Sequence, residues 1–473
     1  MLFYEALFLF LFLPLLLIVY FLVGQTRPTR KWILLLGSFI FYAWSEPIFV
    51  WIVLASSLFD QGIGLFIGRS KNERARQAAL ALGIVLNIAI LCYYKYTIFL
   101  VTNLDWLLQV VAKPQIAVPA IALPIGVSFV VFEKITYLVD IYRGLSKPAR
   151  DFSQYLTYVL FFPKLLAGPI IKYHDIVAQF EQFPESHVDD FFIGLSRFML
   201  GLVKKTLLAD TLATGADLVF SQNPGNLTTA DAWWGVLFFT LQIYFDFSGY
   251  SDMAIGIARM LGFRLLENFN MPYIATSMTD FWRRWHISLT SWIREYLYFP
   301  LGGNRAGTAR TYFNLWICFL ASGIWHGAAW NFVVWGAYNG LFLILDRLFL
   351  LRWLKRAPVW LANLVTVLIV MVGWVFFRST SLTQAVQILE LMSNVVSAPV
   401  SAITITADLK SMAAVGALIC VMQRVFAHRP DLRRLFEGPR SQIAMQSALT
   451  LLFVIGIGKS IAAPFKPFLY FRF

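Results

Sequence analysis

An all-α, multi-pass membrane fold is what this sequence predicts, and three properties carry the prediction. Of its 473 residues, 59% are hydrophobic and only 14% are charged, a balance that excludes a soluble globule. The apolar residues gather into runs of roughly 20, the length of one bilayer crossing, and about eleven such runs recur from residue 5 to residue 461. The charges fall between the runs, and the Lys and Arg that bring the net charge to +13 sit in short connectors, the pattern of positive-inside topology rather than of a nucleic-acid partner.

The first run, Leu7 to Val23, has no basic start and no small-residue cleavage site, so it reads as a retained helix and not as a signal peptide. Residues 1 to 100 hold four runs, broken at basic turns or at Ser45-Glu46-Pro47, where one helix stops and the next begins. Basic clusters at Arg27 to Lys31, Arg69 to Arg76, Arg143 to Arg150, Arg347 to Arg356 and His428 to Arg440 belong on the cytoplasmic side, which leaves both termini outside. Tyr93 to Tyr96, with Lys95 among the tyrosines, suits the headgroup layer.

Between 119 and 210 the pattern changes. Pro119, Pro124, Pro163 and Pro169 break the apolar stretches, and Glu133, Lys134 and Lys164 lie in or near them. Broken helices persist in a membrane where protein or water satisfies the freed backbone, so a cavity-lining bundle is expected here. From Tyr173 to Asp190 the chain turns polar with Phe180 and Phe183 interleaved, as in a segment lying flat at the interface. Three further crossings follow between about 358 and 463. No internal repeat or low-complexity linker interrupts the chain, so residues 1–473 read as one membrane domain with an aromatic tail at 464–473. Cys92, Cys318 and Cys420 stand singly in apolar surroundings and read as small buried hydrophobes, with no metal spacing.

The chemistry concentrates between 232 and 345, where an apolar region carries ionisable side chains that are costly in a bilayer. His286 and His326 lie there among tryptophans, in Asp280-Phe-Trp-Arg-Arg-Trp-His286 and in Ser322-Gly-Ile-Trp-His326-Gly-Ala-Ala-Trp-Asn331. An imidazole held partly away from water can take a proton from an alcohol during acyl transfer. A hydrogen-bonded structural histidine is the alternative for each. Around His326, Gly323 and Gly327 permit close approach of a backbone or a substrate, Trp325 and Trp330 are placed to wall off water, and Asn331 offers an amide to orient the imidazole or hold a carbonyl oxygen. Helical spacing puts Trp282 and His286 on one face, which favours a positioning role for His286. Asp280 and Arg284, also four apart, either pair with each other or position substrate.

Tyr244-Phe-Asp246-Phe-Ser248-Gly-Tyr250-Ser-Asp252 sets two carboxylates in an aromatic run, where they need partners. Arg283, Arg284 and Arg294 are the candidates, in a structural ion network or beside substrate. Neither paired-carboxylate hydrolysis nor metal ligation fits this set. The chain ends Phe468-Leu-Tyr470-Phe-Arg-Phe473, either an interfacial anchor or, more sharply, an acyl relay in which the Tyr470 phenol accepts the group and presents it outside.

Taken in order, Leu123-Pro-Ile-Gly-Val-Ser-Phe129, Tyr137-Leu-Val-Asp-Ile-Tyr-Arg-Gly144, Phe161-Phe-Pro-Lys-Leu-Leu-Ala-Gly-Pro-Ile170, the Asp246 stretch, Asp280 to Arg305 and Ser322 to Trp330 resemble the membrane-bound O-acyltransferase family. The resemblance covers most of the chain. It is nearest the bacterial branch of alginate O-acetylation, cellulose acetylation and teichoic-acid D-alanylation membrane proteins. It implies a ring of tilted helices around a central funnel in the inner membrane, with His326 in the place of the family's catalytic histidine and His286 in that of its second polar position. The donor it implies is acetyl-CoA, with no bound cofactor. The partners it implies are an outer-face acetyltransferase or polysaccharide-modifying protein and an exopolysaccharide. The terminal aromatic motif is similar to one in related transfer systems whose tyrosine is proposed to carry the acyl group. Two other readings stay open: D-alanyl transfer to teichoic acid by the same machinery, and a transporter or channel whose intramembrane charges line a path, although the paired repeats common in transporters are missing here.

Overall fold

A computed structural model describes residues 1–111, 114, 116–118, 120–184, 187–393, 401–429, 437–462, 468 and 469. Pro119, Arg433 and Arg434 of the last basic cluster, and Tyr470 lie outside the described residues, and of the aromatic tail only Phe468 and Leu469 are described. Among these residues the fold is helical, without a strand. Six helices among the described residues are long and apolar enough to cross a membrane: Phe49–Arg69, Glu73–Val110, Trp330–Arg356, Val359–Arg378, Ala407–His428 and Pro439–Ala462, with Phe8–Leu22 a shorter apolar helix. This is a multi-pass membrane protein. Other apolar stretches are divided into shorter helices, as where the chain leaves Phe152–Leu160 and restarts at Phe162–Leu165 with Pro163 in its first turn. Ser45-Glu46-Pro47 separates Arg27–Ser45 from Phe49–Arg69 as expected.

The chain forms two compact units, 1–195 with 254–266, and 196–253 with 267–473; it passes between them within the helices Val188–Val203 and Thr229–Met260.

In the first unit, Phe49–Arg69, Glu73–Leu91 and Val127–Tyr142 pack together because glycines let them close. A Cβ on Gly64 would meet the Tyr137 ring at 2.6 Å, and one on Gly83 would meet Leu138 at 2.4 Å. The ionisable groups taken as cavity lining are instead buried and paired. Lys134 Nζ lies 2.9 Å from Asp60, whose other oxygen accepts from Asn87 Nδ2 at 2.9 Å. Lys164 bonds Glu133, with its ammonium 4.6 Å from the centre of the Tyr158 ring. Mutual neutralisation is what lets four such charges sit out of water. In the segment expected at the interface, Phe180 and Phe183 are buried against Phe263, with ring centres 5.4 and 5.8 Å away. Cys92 is exposed and only Cys318 is fully buried, so the buried-hydrophobe reading fails for Cys92.

At the start of the Tyr173–Gln182 helix, the His174 ring meets Asp140 at 2.9 Å and Asp175 at 3.2 Å. The hydrogen bond to Asp140 first, and then that to Asp175, pushes its pKa up to about 9. A histidine whose folded value is raised contributes stability that is full below its unfolded value, about 6.5, and is lost as pH rises through the folded value. The melting temperature should therefore fall between about pH 6.5 and 9. His174→Gln should lower it at pH 6 and flatten that dependence; an unchanged slope in the variant would assign the loss to other groups.

The second unit is built around a large aromatic core. Thr308–His326 and Trp330–Leu345 form an antiparallel hairpin whose backbones touch through Gly323, Gly336 and Gly340, small residues at helical spacing. Trp335, Trp374 and Phe377 fill the space between this hairpin and Val359–Arg378, with the Trp335 and Trp374 rings stacked 6.0 Å apart.

Candidate active site

His326 is the last residue of its helix, which stops at Gly327 in extended conformation. Gly327 lies against Phe332, which leaves 2.1 Å where a Cβ would stand, so the break admits no larger residue. The imidazole is buried in a cage of rings: Trp325 at 4.8 Å, Trp335 at 5.0 Å and perpendicular, and Phe377 at 5.3 Å.

His286 reaches the same place by another route. Met278–Arg284 ends, Trp285 is extended, and His286 takes the left-handed conformation at φ 44°, before Ile287–Ile293 begins. The shared helical face expected for Trp282 and His286 does not exist, because the helix has ended before His286. The left-handed backbone costs a non-glycine residue about 1–2 kcal/mol, so the surroundings must hold it. Asn268 does so: its carbonyl accepts from Ile287 N at 2.9 Å and its Oδ1 accepts from Ser288 Oγ at 2.9 Å. Strain of this kind is typical of positions where a side chain must be aimed. The corner aims the His286 ring at Phe247 (4.7 Å), Trp325 (6.1 Å) and His326 (6.4 Å). Two imidazoles 40 positions apart in sequence are thus both buried, with ring centres 6.4 Å apart, in surroundings that exclude bulk water.

The other expected residues divide. Trp325 lines the cage together with Trp335 and Phe377, whereas Trp330 is 56% exposed. A stripe of aromatic residues at helical spacing was the available signal for Trp335, but several tryptophans share it. Asn331 also departs from expectation. Its Nδ2 donates to the carbonyls of Phe376 (3.2 Å) and Ser379 (2.8 Å), so both hydrogens cap the end of Val359–Arg378 and neither is left for an oxyanion. Asp280 and Arg284 pair with each other at 2.8 Å, and Asp280 also accepts from Thr276 N at 3.3 Å.

For the two carboxylates of the aromatic run, the partners are none of the three arginines considered. Asp252 is held by Arg197 (2.9 Å) and Lys204 (2.6 Å). Asp246 lies 2.8 Å from Lys205 Nζ, which also bonds Asp210 at 2.9 Å. The second oxygen of Asp246 accepts from the backbone N–H of Leu469 at 2.8 Å. Phe468 and Leu469 are buried, the Phe468 ring lying 4.8 Å from Tyr250 and 5.8 Å from Phe247. The residues just before Tyr470 therefore belong to the same core as the histidines. Among the described residues no group of three or more His, Cys, Asp or Glu side chains is placed to hold a metal ion.

The glycine contacts of the hairpin give a direct test of what positions His326. A methyl at residue 323 would stand 2.3 Å from the Phe332 carbonyl oxygen and 2.9 Å from Gly336 Cα, both backbone atoms that cannot swing aside. Gly323→Ala should therefore cost at least about 1–3 kcal/mol of overpacking. A lower melting temperature together with reduced activity is the expected result, and wild-type values for both would contradict the close crossing.

Comparison with known proteins places this geometry in context. The model of the membrane-bound O-acyltransferase family matches residues 79–385. The chain is 44% identical over 394 residues to the probable alginate O-acetylase of Pseudomonas aeruginosa, covering 83% of this chain and 75% of that protein. It is 40% identical over 494 residues to the probable alginate O-acetylase of Pseudomonas putida, covering all of both. It is 35% identical over 425 residues to the peptidoglycan O-acetyltransferase of Helicobacter pylori, covering 83% of this chain and 80% of that protein.

Proposed function

The chain belongs to the membrane-bound O-acyltransferase family, and from that premise we propose that it is an O-acetyltransferase of the bacterial inner membrane, taking acetyl from cytoplasmic acetyl-CoA and passing it outward for O-acetylation of an exopolysaccharide of the alginate type. The observation that carries the reading is the pair of caged imidazoles, His326 and His286, with ring centres 6.4 Å apart beside the docked end of the aromatic tail. The similarity to two proteins named as alginate O-acetylases over most or all of the chain supports the acyl group and the polymer class.

In this reading the fold is the family's ring of about eleven crossings around a funnel, with the basic connectors inside. Their charge attracts the phosphates of the coenzyme. An alcohol oxygen attacks the thioester carbonyl while His326 takes the hydroxyl proton. Collapse of the tetrahedral intermediate breaks the C–S bond, and the coenzyme leaves as the thiol, carrying that proton. His286 positions the reacting groups, and the rings around both histidines keep water from hydrolysing the thioester. The first alcohol is the Tyr470 phenol, and an outer-face partner then moves the acetyl from the phenol ester to a sugar hydroxyl.

Purified protein in liposomes, supplied with radiolabelled acetyl-CoA on the cytoplasmic face, separates this reading from its rivals. Label should move onto protein and then onto an added acceptor. D-Alanine incorporation from a carrier thioester in its place would move the substrate class to teichoic acid. Solute flux without acyl transfer would make the chain a transporter and end the proposal.

A further inference from the structure

We infer that Asp246, itself held by Lys205, is a docking post for the carboxy-terminal tail, so that the chain just before Tyr470 is locked to the helix that also lines the histidine site. The electrostatics explain why such a post is available. Asp246 and Lys205 are both buried, with side chains 3% and 2% exposed, so each needs polar partners inside the protein. One Asp246 oxygen meets Lys205 Nζ at 2.8 Å, and Lys205 is in turn held by Asp210 at 2.9 Å. The other oxygen would be costly to bury alone. It is met by the Leu469 N–H at 2.8 Å, across 223 positions of sequence. The benefit is mutual, since a buried backbone N–H without an acceptor is itself rare and unfavourable.

Two side chains complete the seat. Phe468 is fully buried with its ring against Tyr250 and Phe247, and Leu469 is 2% exposed. Asp246, Phe247 and Tyr250 all lie on Thr229–Met260, and Phe247 is the ring that touches His286. One helix therefore grips the tail and walls the site. Asp246 is a positioning residue: it touches the tail and neither imidazole. The functional consequence, a phenol tethered one residue past the post, rests on the relay reading above; the docking itself does not.

Hydrogen exchange on the full-length protein in lipid nanodiscs reads the docking directly, by mass spectrometry of the carboxy-terminal peptide. In the wild type that peptide should exchange slowly. Asp246→Ala should speed its exchange by about tenfold or more, the expected loss for a hydrogen bond to a charged group. Asp246→Asn, which keeps the shape and one acceptor, should fall between the two, while peptides of Thr308–His326 stay at wild-type rates. If Asp246→Ala does not accumulate, Leu469→Pro removes the same bond from the donor side, and Leu469→Ala, which also loses the buried side chain but keeps the N–H, is its control. Free-peptide exchange in the wild type, or unchanged exchange in every variant lacking the bond, overturns the inference. Tyr470→Phe should leave tail protection intact, so wild-type acetyl transfer in that variant would remove the relay while the docking post stood.

Discussion

His326→Ala is expected to lower acetyl transfer by roughly 100- to 10,000-fold, the usual cost of removing a general base, with the protein still present in the membrane at wild-type level. The expectation rests on where the imidazole stands. It ends a helix whose course is fixed by the Gly323 and Gly327 contacts, and three aromatic rings hold it within 4.8 to 5.3 Å. Those contacts leave a truncated side chain with a cavity, so His326→Gln, which keeps much of the volume and no proton acceptor of comparable basicity, is the companion variant. Transfer should be lost in both. Near-wild-type transfer in the glutamine variant would take His326 out of the chemistry and leave it a packing residue. His286 makes a different contribution to the same site, because its backbone is held left-handed by Asn268. A fault there would disturb the aim of several groups together.

The second large effect concerns Tyr470. Tyr470→Phe keeps an aromatic ring in the tail and deletes only the hydroxyl nucleophile, so acetyl should no longer appear on the chain and polymer acetylation should fall to background. Mass spectrometry of the intact protein after exposure to acetyl-CoA supplies the readout: an added acetyl in the wild type, traceable to the carboxy-terminal peptide, and none in the variant. If the variant acetylates polymer normally, the tail is an anchor and the first acceptor lies on another molecule. The buried position of Phe468 and Leu469 beside Phe247 is what raises the relay above an interfacial anchor, whose aromatic rings would face lipid headgroups.

How much of the site could be read before the structure differs from residue to residue. His286, His326 and Trp325 were readable because ionisable and indole groups in an apolar run need a reason, and the run showed where they were. Asn331 was legible only in part, because an amide beside a histidine looks the same in sequence whether its hydrogens face the site or, as here, cap a neighbouring helix through Phe376 and Ser379. Trp335 was not singled out, yet it lies five residues beyond Trp330, about 1.4 turns of helix, and is buried where Trp330 is exposed. Lys205 drew no notice because nothing in the apolar run at 198–209 tells that one of its two adjacent lysines is buried against Asp246 while the other meets Asp252.

By itself the sequence determined that this chain lives in a bilayer as helices and that ionisable side chains gather in an apolar region between 232 and 345, since burial of apolar runs and the cost of charge in lipid act on local composition. Only the tertiary structure decided which cation neutralises which carboxylate, that His286 sits on a strained corner and not on a helix face, and that the end of the chain returns to the core. Those outcomes depend on contacts between segments remote in sequence, where several partners of equal chemistry compete and backbone packing selects one.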